Sequence, residues 1–359
     1  MTAFPSRQAL QAMHIEARSK TTTAAFECGP QEPLLYAALR AGVAVPFECA
    51  TGTCGTCKAR RVSGVVINDW PQAPGCAYLK QERDEVLLCQ TRALGACAFE
   101  IPGTANLAAA PRLRPRFGDA QLDCIESLSR DVRAVRLRMD APVEFEAGQF
   151  IVVRSPHIGG YRAYSMASPG GSASELEFVV KRKPGGALTE WLFHSACPGD
   201  SLDWFGPIGK ATFDPREQRT ILCIAGGSGI ASILSILDVG CSTRHFEHFD
   251  AAVFFGVRTN DDAIYLDRLA GYASAFPERL KITVVLSHDS PSDALRRKYP
   301  ALAFASGFPH EIAARDLAGR FAGRVAYLAG PPILVEVSIR MLITQARLPA
   351  RDIRYDKFS

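Results

Sequence analysis

The sequence has little net charge, no secretion signal and no clear membrane segment, and each absence excludes a class of protein. Lys and Arg number 41 against 37 for Asp and Glu, a net charge of +4 in 359 residues, which argues against nucleic-acid binding. The N-terminal residues lack the continuous apolar core of a signal peptide. One stretch, 220–237, has no charged residue, but its glycines and serines favour a strand, a turn and a helix. We therefore expect a cytoplasmic protein without membrane insertion.

Cysteine, by contrast, is abundant, with 11 residues in the chain. An odd number without a secretion signal argues against a disulfide framework and for a reducing compartment. Cys49, Cys54 and Cys57 are spaced C-x4-C-x2-C, and Cys89 follows at a distance, which matches the plant-type 2Fe–2S arrangement. A structural zinc site is the competing interpretation, but zinc modules usually pair two C-x2-C knuckles, and this sequence has one. The four thiols predict a 2Fe–2S cluster with two thiolates on each iron.

Three blocks with different patterns predict three domains joined by one linker. Residues 1–105 combine short strands with one helix, as in a small α+β domain. Residues 106–118 contain two prolines in an arginine-rich run and predict a linker without helix or strand. Residues 119–214 alternate apolar and polar residues between glycine-rich turns and predict a barrel. Residues 215–359 alternate strands with helices and predict a doubly wound parallel sheet.

Two glycine-rich turns have the residues that phosphate groups need. Gly226-Gly227-Ser228-Gly229 lies between a predicted strand and a predicted helix, where a pyrophosphate can rest on the free N–H groups of the helix N-terminus. Gly185-Gly186-Ala187-Leu188-Thr189 also precedes a predicted helix, and its glycines would let the backbone approach a phosphate. A plain turn between a strand and a helix is the alternative for this second segment.

The order of these blocks and their motifs resembles the reductase component of bacterial multicomponent oxygenases, including those that hydroxylate aromatic rings. The resemblance spans nearly the whole chain. It implies a plant-type ferredoxin (β-grasp) domain, an antiparallel β-barrel flavin domain and an α/β nicotinamide domain of the ferredoxin–NADP reductase type. The cofactors it implies are a 2Fe–2S cluster, FAD and NADH, with NADPH as the alternative.

The resemblance also implies which residues contact the flavin. The segment Arg162-Ala163-Tyr164-Ser165 fits the family's R-x-Y-S motif. In that family the arginine binds the flavin pyrophosphate, the tyrosine lies against the ring, and the serine lies near the N5 atom. Gly185, Gly186, Leu188 and Thr189 resemble the second flavin-phosphate element of the family.

The nicotinamide motifs of the family are present with two departures. Gly226, Gly227, Ser228 and Gly229 fit its G-G-x-G-x-x-P motif, but Ser232 replaces the proline, and we expect a local change in how the helix starts. The segment Ala329-Gly330-Pro331-Pro332 resembles C-G-P-P, with Ala329 in place of the cysteine beside the nicotinamide. The missing thiol puts the turnover rate in doubt more than coenzyme binding.

The coenzyme and the C-terminus complete the implied site. Ser287-His288 stands where NADP-using relatives often carry serine and arginine, and this half match favours NADH. The ending resembles that of the family, in which an acidic residue precedes an aromatic by two positions. Asp356 would then lie near the hydride path, and Phe358 would cover the flavin until the nicotinamide displaces it; a frayed polar tail is the alternative.

Together these modules imply a chain of electron carriers. Nicotinamide gives up hydride, a 2Fe–2S cluster accepts one electron, and a flavin converts between the two. The family's acceptor is a terminal oxygenase or its ferredoxin, which we expect to dock near Glu48, Thr51 and Thr53 of the cluster loop. Two alternatives stay open: a reductase of the same modules serving another acceptor, such as sugar deoxygenation, and a slow redox sensor.

Overall fold

The computed structural model describes residues 12–109 and 112–357 of the chain. The prediction for Phe358 therefore lies outside the described residues. The chain divides into two compact units, the first made of residues up to Phe117 together with Gly160–Ala163, and the second of Gly118–Gly159 and Tyr164 onward. The second unit contains both the predicted barrel and the predicted doubly wound sheet.

The first unit contains one helix and two small sheets. Its elements are β1 (Met13–Arg18), β2 (Thr23–Cys28), α1 (Leu34–Arg40), β3 (Lys58–Ser63), β4 (Val66–Asn68), β5 (Glu85–Leu87), β6 (Thr91–Ala93) and β7 (Cys97–Glu100). The larger sheet has the order β2-β1-β7-β3-β5, and β4 pairs with β6. Because β1 is antiparallel to β2 but parallel to β7, the sheet is mixed, which confirms the predicted α+β ferredoxin class.

The helix begins later than the sequence pattern predicts. Its apolar stripe and the glycine at position 42 predict a helix over 32–41, whereas α1 spans Leu34–Arg40. Pro33 has an extended backbone and stands at the N-cap, so the turn before it is not helical. Every residue from Leu34 to Leu39 is buried, so the helix lies inside the domain and not across its surface.

Two strand predictions in this part of the chain are wrong. The β-branched run over 62–67 predicts a single strand, but β3 ends at Ser63 and β4 begins at Val66. Gly64 turns the chain at φ +90°, and a Cβ there would lie 2.5 Å from the Ala96 carbonyl oxygen, so only glycine fits. The linker was expected to contain no strand over 106–118, but the next strand already begins at Arg116.

The barrel of the second unit is antiparallel, as predicted. Its elements are β8 (Arg116–Ser127), β9 (Val132–Phe145), β10 (Phe150–Arg154), β11 (Arg162–Ser165), β12 (Gly171–Lys181), α2 (Ala187–His194) and β13 (Ser201–Ile208). The sheet order is β11-β10-β13-β8-β9-β12. A bridge between Met166 and Phe178 joins the two edge strands, so the sheet curves round on itself. Leu137, Phe178 and Trp204 are almost fully buried in its core.

The rest of the second unit is a six-stranded parallel sheet. Its elements are β14 (Ile221–Gly226), α3 (Ile230–Ser242), β15 (Ala251–Val257), α4 (Leu266–Ala275), β16 (Leu280–Leu286), α5 (Asp293–Lys298), β17 (Ala303–Ser306), α6 (Pro309–Asp316), β18 (Val325–Gly330), α7 (Pro332–Thr344) and β19 (Ile353–Lys357). The order is β17-β16-β15-β14-β18-β19, and every neighbouring pair is parallel.

Both faces of this sheet are covered. Ile221 and Cys223 of β14 pack into one apolar core together with α3 and α4. Leu222 and Ile224 pack into a second core with α6 and α7. Successive strand residues therefore face opposite helix layers, which confirms the doubly wound prediction. Among the residues that the structure describes, no helix is long and apolar enough to cross a membrane.

Truncation of Leu234 on α3 should destabilise the second unit. Its side chain is fully buried between helix and sheet, so Leu234→Ala should lower the free energy of unfolding by about 2–5 kcal/mol. Ile333→Ala is the matched control, because Ile333 is 69% exposed and should lose well under about 1 kcal/mol. Urea unfolding followed by circular dichroism measures both. Equal losses in the two variants would contradict the assigned core.

Candidate functional site

The four predicted cluster thiols form two pairs. Cys57 Sγ and Cys89 Sγ lie 3.3 Å apart, and the Cys54 thiol is hydrogen-bonded to Cys49. Two pairs fit a two-iron cluster, in which each iron takes two thiolates. The arrangement of the donors therefore fits the predicted 2Fe–2S group.

Backbone N–H groups surround the sulfur of Cys49. The amides of Thr51, Thr53 and Cys54 each donate to Cys49 Sγ at 3.4 Å. The pKa of the Cys49 thiol is lowered to about 4, chiefly by the hydrogen bond from the Cys54 thiol and further by hydrogen bonds from the Thr53 side chain and from the amides of Thr51 and Cys54. The loop thus stabilises negative charge on sulfur, which an iron ligand requires.

The loop keeps this curl because residues without bulky side chains occupy its tight points. Gly52 and Gly55 have φ values of +92° and +76°, and Ala50 has +57°. Gly75, on a neighbouring turn, donates its N–H to the Gly52 carbonyl at 2.9 Å. A Cβ on Gly75 would lie 2.7 Å from that same oxygen, so glycine is required there. The Pro74-Gly75 pair indicates only a turn in the sequence, and its role beside the loop was missed.

A buried tyrosine supports the loop from α1. Tyr36 is fully buried, and its hydroxyl donates to the Ala50 carbonyl at 2.9 Å. Ala50 is the residue held at positive φ, so this hydrogen bond fixes the strained point of the loop. Burial, followed by the nearby cysteine and tyrosine groups, raises the pKa of Tyr36, which keeps the hydroxyl protonated as a donor. Tyr36 lies within an apolar helix and gives no sequence signal of this role.

The predicted flavin motif forms β11, an edge strand of the barrel sheet. Ser165 is 6% exposed, and its Oγ has no hydrogen-bond partner among the described residues. A buried hydroxyl without a partner is costly, so it fits a polar group of a bound cofactor such as the flavin. Tyr164 packs edge-on against Phe178 and is partly exposed, so part of its ring is open to a cofactor. Arg162 and Ala163 are also partly exposed.

The second predicted flavin element is a tight turn at the start of α2. Gly185 has φ +73° and Gly186 is the N-cap of the helix. Leu188 is 2% exposed in the barrel core, so only its backbone N–H can face a phosphate. The Thr189 hydroxyl lies within hydrogen-bonding distance of the Lys183 and Gly186 carbonyls and accepts from the Lys183 amide. Its hydroxyl thus closes the turn, and the amides in the first turn of α2 fit a phosphate.

The two glycine loops of the parallel sheet pack backbone against backbone. A Cβ on Gly229 would lie 2.4 Å from the Ala329 carbonyl oxygen, and one on Gly330 would lie 2.9 Å from the Gly226 carbonyl oxygen. A Cβ on Gly226 would lie 2.5 Å from Leu334 of α7. Side chains at these positions would force the loops apart. This packing brings together the loops at 226–229 and 329–331, which the sequence predicted to form one site.

The helix after the first loop starts with a 3-10 turn. Gly227–Gly229 form this turn, and α3 follows from Ile230. The Ser232 hydroxyl donates to the Gly229 carbonyl at 3.2 Å. Where the family motif has a proline, this chain therefore places a hydroxyl that holds the turn closed.

Asp356 completes the edge of the sheet. In the register of the parallel strands, Ala329 pairs with Ala225 on one side and with Asp356 on the other. Asp356 is 7% exposed and lies on β19, so the segment through Lys357 is an ordered strand and not a frayed tail. The sequence predicted this carboxylate near the site, and the register brings it beside Ala329.

The predicted coenzyme-selecting residues follow β16. The Ser287 hydroxyl donates to the Val257 carbonyl at 3.3 Å and lies 2.8 Å from His288 Nδ1. The His288 amide donates to the Arg258 carbonyl, which ties the ends of β15 and β16 together. His288 is exposed at this edge.

A thiol cluster, a predicted flavin strand and a predicted dinucleotide loop on one chain indicate an iron–sulfur flavoprotein reductase. Residues 18–94 match the 2Fe-2S iron-sulfur cluster binding domain, 119–213 the oxidoreductase FAD-binding domain and 223–338 the oxidoreductase NAD-binding domain.

Relatives match along the whole chain. The ferredoxin–NAD(+) reductase component of an alkene monooxygenase system from Xanthobacter autotrophicus is 32% identical over 93% of this chain and 97% of its own length. The phenol hydroxylase P5 protein of Acinetobacter pittii is 33% identical over 93% and 91%. A solved ferredoxin reductase of carbazole 1,9a-dioxygenase superposes with a TM-score of 0.82 at 30% identity, covering 98% of this chain and 100% of that one.

The chain belongs to the family of ferredoxin–NAD(P)(+) reductases that join a 2Fe–2S domain to FAD- and NAD-binding domains. It is an oxidoreductase that passes electrons from NAD(P)H through FAD to a 2Fe–2S cluster. The predicted class, activity and cofactors are thereby confirmed. The assignment of individual residues to each cofactor stays a prediction.

Alanine at Gly75 should displace the cluster. The added methyl group would lie 2.7 Å from the Gly52 carbonyl oxygen and 3.0 Å from the Gly55 amide nitrogen. Both are backbone atoms, so the clash can be relieved only by moving the loop. We expect Gly75→Ala to lose most of its iron and acid-labile sulfide while keeping its FAD. Gly95→Ala is the control, since a Cβ at Gly95 meets nothing within 4 Å. Full iron content in Gly75→Ala would contradict the structure of the loop.

Proposed function

We propose that this chain supplies electrons from NADH to the terminal oxygenase, or to the ferredoxin, of an oxygenase system. The observation that carries the proposal is that relatives named as reductase components of oxygenase systems match more than nine tenths of this chain. Bound FAD supplies the conversion chemistry, since it accepts hydride and releases electrons singly. The free cysteines suit the reducing cytoplasm, where we place this activity.

In this proposal the two thiol pairs hold the two irons. Cys49 and Cys54 bind one iron, and Cys57 and Cys89 bind the other. The amides of Thr51, Thr53 and Cys54 around Cys49 would stabilise the negative charge of a reduced cluster.

The residues of β11 and the turn at α2 bind the flavin. Arg162 pairs with the pyrophosphate, because a guanidinium forms paired hydrogen bonds to phosphate oxygens. Tyr164 lies against the ring, and the buried Ser165 hydroxyl donates to the reacting edge. The amide of Leu188 at the start of α2 binds a phosphate, with Gly185 and Gly186 giving the backbone room to approach and Thr189 closing the turn.

The two glycine loops bind the nicotinamide coenzyme. The N–H groups of Gly227, Ser228 and Gly229 receive the pyrophosphate at the start of α3. Ala329, Gly330 and Pro331 form the wall beside the nicotinamide, and Asp356 lies next to Ala329 in the sheet register. A methyl group at position 329 supports the ring but supplies no thiol. Phe358, two residues further along the chain, is proposed to cover the flavin ring.

Coenzyme choice depends on the residues after β16. Ser287 can hydrogen-bond an adenosine ribose, but the exposed His288 lacks the permanent charge and forked geometry with which an arginine binds an added phosphate. We therefore propose a preference for NADH over NADPH.

Arginine at position 288 should raise the use of NADPH. His288→Arg adds a permanent cation that can form charge-assisted hydrogen bonds to a 2′-phosphate, so kcat/KM for NADPH should rise about tenfold while that for NADH changes little. His288→Gln, which adds no charge, is the control. Steady-state kinetics with ferricyanide measure both coenzymes. An unchanged NADPH value in His288→Arg would place the coenzyme phosphate elsewhere.

Electrons should leave the cluster beside Cys54. Cys54 is the one predicted ligand that is partly exposed, whereas Cys49, Cys57 and Cys89 are buried. Tyr78 is 62% exposed, and it packs so closely on Gly55 that a Cβ there would lie 2.8 Å from its ring. Thr51, expected among the docking residues, is 9% exposed and offers little side-chain surface. We propose a docking surface formed by Thr53, Cys54 and Tyr78, with Glu48 beside them.

Removal of the Tyr78 ring should slow delivery to the acceptor protein. We expect Tyr78→Ala to lower the rate of electron transfer to a purified oxygenase component of phenol hydroxylase type by about tenfold, because exposed aromatics dominate many protein contacts. Ferricyanide reduction, which needs no protein docking, should be unchanged.

Leu94→Ala is the matched control, since Leu94 is 59% exposed, follows the end of β6 and bonds through its amide to the Val65 carbonyl, which is not part of the proposed docking surface. Equal losses for the oxygenase component and for ferricyanide would refute the docking surface, because they would indicate damage to the redox centres.

A further inference from the structure

Arg268 on α4 joins the barrel to the α/β half of the second unit. Its guanidinium donates to the Ala167 carbonyl of the barrel at 3.0 Å and to the Tyr272 hydroxyl at 2.6 Å. It also pairs with the Asp238 carboxylate on α3. Its Nη1 lies 3.7 Å from Glu177 Oε1 on β12. One partly buried cation on α4 therefore contacts Ala167 and β12 of the barrel as well as α3 of the α/β half.

Tyr265 also connects α4 to the barrel, and it does so from a strained backbone conformation. It stands at the N-cap of α4 with φ +58° and ψ +22°, the left-handed region that a tyrosine rarely adopts. Its hydroxyl donates to Glu177 Oε1 at 2.9 Å. Burial and the nearby carboxylate raise the pKa of Tyr265, so the hydroxyl stays protonated as a donor. Such strain persists where surrounding contacts determine the conformation, and it often marks functional positions.

The contacts reach both halves of the proposed redox site. Ala167 follows Ser165 by two residues, and its amide donates to the Glu177 carbonyl at 2.7 Å. Asp238 lies on α3, the helix that begins after the Gly227–Gly229 turn. Tyr272 donates its hydroxyl to Asp238, which ties α4 to α3. The group therefore connects the proposed flavin strand to the helix of the proposed dinucleotide loop.

We propose that Arg268 is a positioning residue for hydride transfer. Together with Tyr265 and Glu177 it holds the Tyr164–Ser165 strand at a fixed place relative to α3 and its glycine turn. The inference rests on the proposed roles of that strand and that turn. A hydride step is sensitive to small displacements, so loosening this junction should slow the step without weakening the binding of either cofactor.

The test uses the full-length holoprotein and four variants. Arg268→Met removes the cation, Arg268→Lys keeps the charge with a different geometry, and Tyr265→Phe removes one hydroxyl. Arg279→Met is the control, because Arg279 forms an exposed ion pair with Asp250 that does not cross to the barrel. Stopped-flow absorbance gives the limiting rate of flavin reduction and the apparent Kd for NADH. Amide hydrogen exchange of a peptide covering 162–168 reports on the strand directly.

We expect Arg268→Met to lower the limiting rate of flavin reduction about tenfold or more, with the Kd for NADH and the FAD content unchanged. Exchange in the 162–168 peptide should become faster. Arg268→Lys should recover part of both losses, Tyr265→Phe should show a smaller change in the same direction, and Arg279→Met should match the wild type.

Wild-type rate and exchange in Arg268→Met would overturn the proposal, as would a loss confined to the Kd for NADH. If Arg268→Met fails to fold with FAD, the same two measurements on Arg268→Lys and Tyr265→Phe test the proposal. A wild-type rate of flavin reduction and wild-type exchange in both variants would overturn the proposal. Failure of the proposed function is distinguishable, because it would show in the wild type as no transfer to the oxygenase component despite rapid flavin reduction.

Discussion

The structure depends on one constraint: a single loop must curl tightly enough to bring its three predicted ligand thiols towards a fourth thiol from a distant segment. Backbone amides that donate to Cys49 stabilise negative charge on its sulfur. The Tyr36 hydroxyl donates to the carbonyl of the strained Ala50 and holds it in place. Gly75 closes the loop from a neighbouring turn. The resulting two pairs of thiols fit the ligands predicted for a one-electron 2Fe–2S centre, and such a centre needs a flavin between it and a two-electron coenzyme.

In the second unit, close backbone packing brings together two loops that are distant in sequence. Gly226, Gly229 and Gly330 let the loops that follow β14 and β18 touch at the carboxyl ends of these strands. The proposed pyrophosphate and nicotinamide sites therefore adjoin. The barrel strand that carries Ser165 is tied to the same half by Arg268 through Ala167. Rigid contacts thus extend from the strand proposed for the flavin to the loop proposed for the coenzyme.

Much of this could be predicted because local sequence determined it. The cysteine spacing, the glycine runs and the alternation of strands with helices each follow from local chemistry, and the class, activity and cofactors are confirmed. The missed features depend on contacts distant in sequence. Gly64 divides one apparent strand because it packs on Ala96 and Cys97, and Tyr36 and Gly75 act on a loop more than ten residues away. The register that sets Asp356 beside Ala329 is likewise a property of the folded sheet.

The central claim is that one polypeptide converts the paired electrons of a nicotinamide into single electrons at a 2Fe–2S cluster. An anaerobic titration of the purified holoprotein with NADH, followed by absorbance and EPR, tests it most directly. The account predicts that the flavin absorbance bleaches and that the EPR signal of a reduced 2Fe–2S cluster then develops. A protein that carries zinc in place of iron and labile sulfide, or a flavin that NADH reduces without any cluster signal, would contradict it.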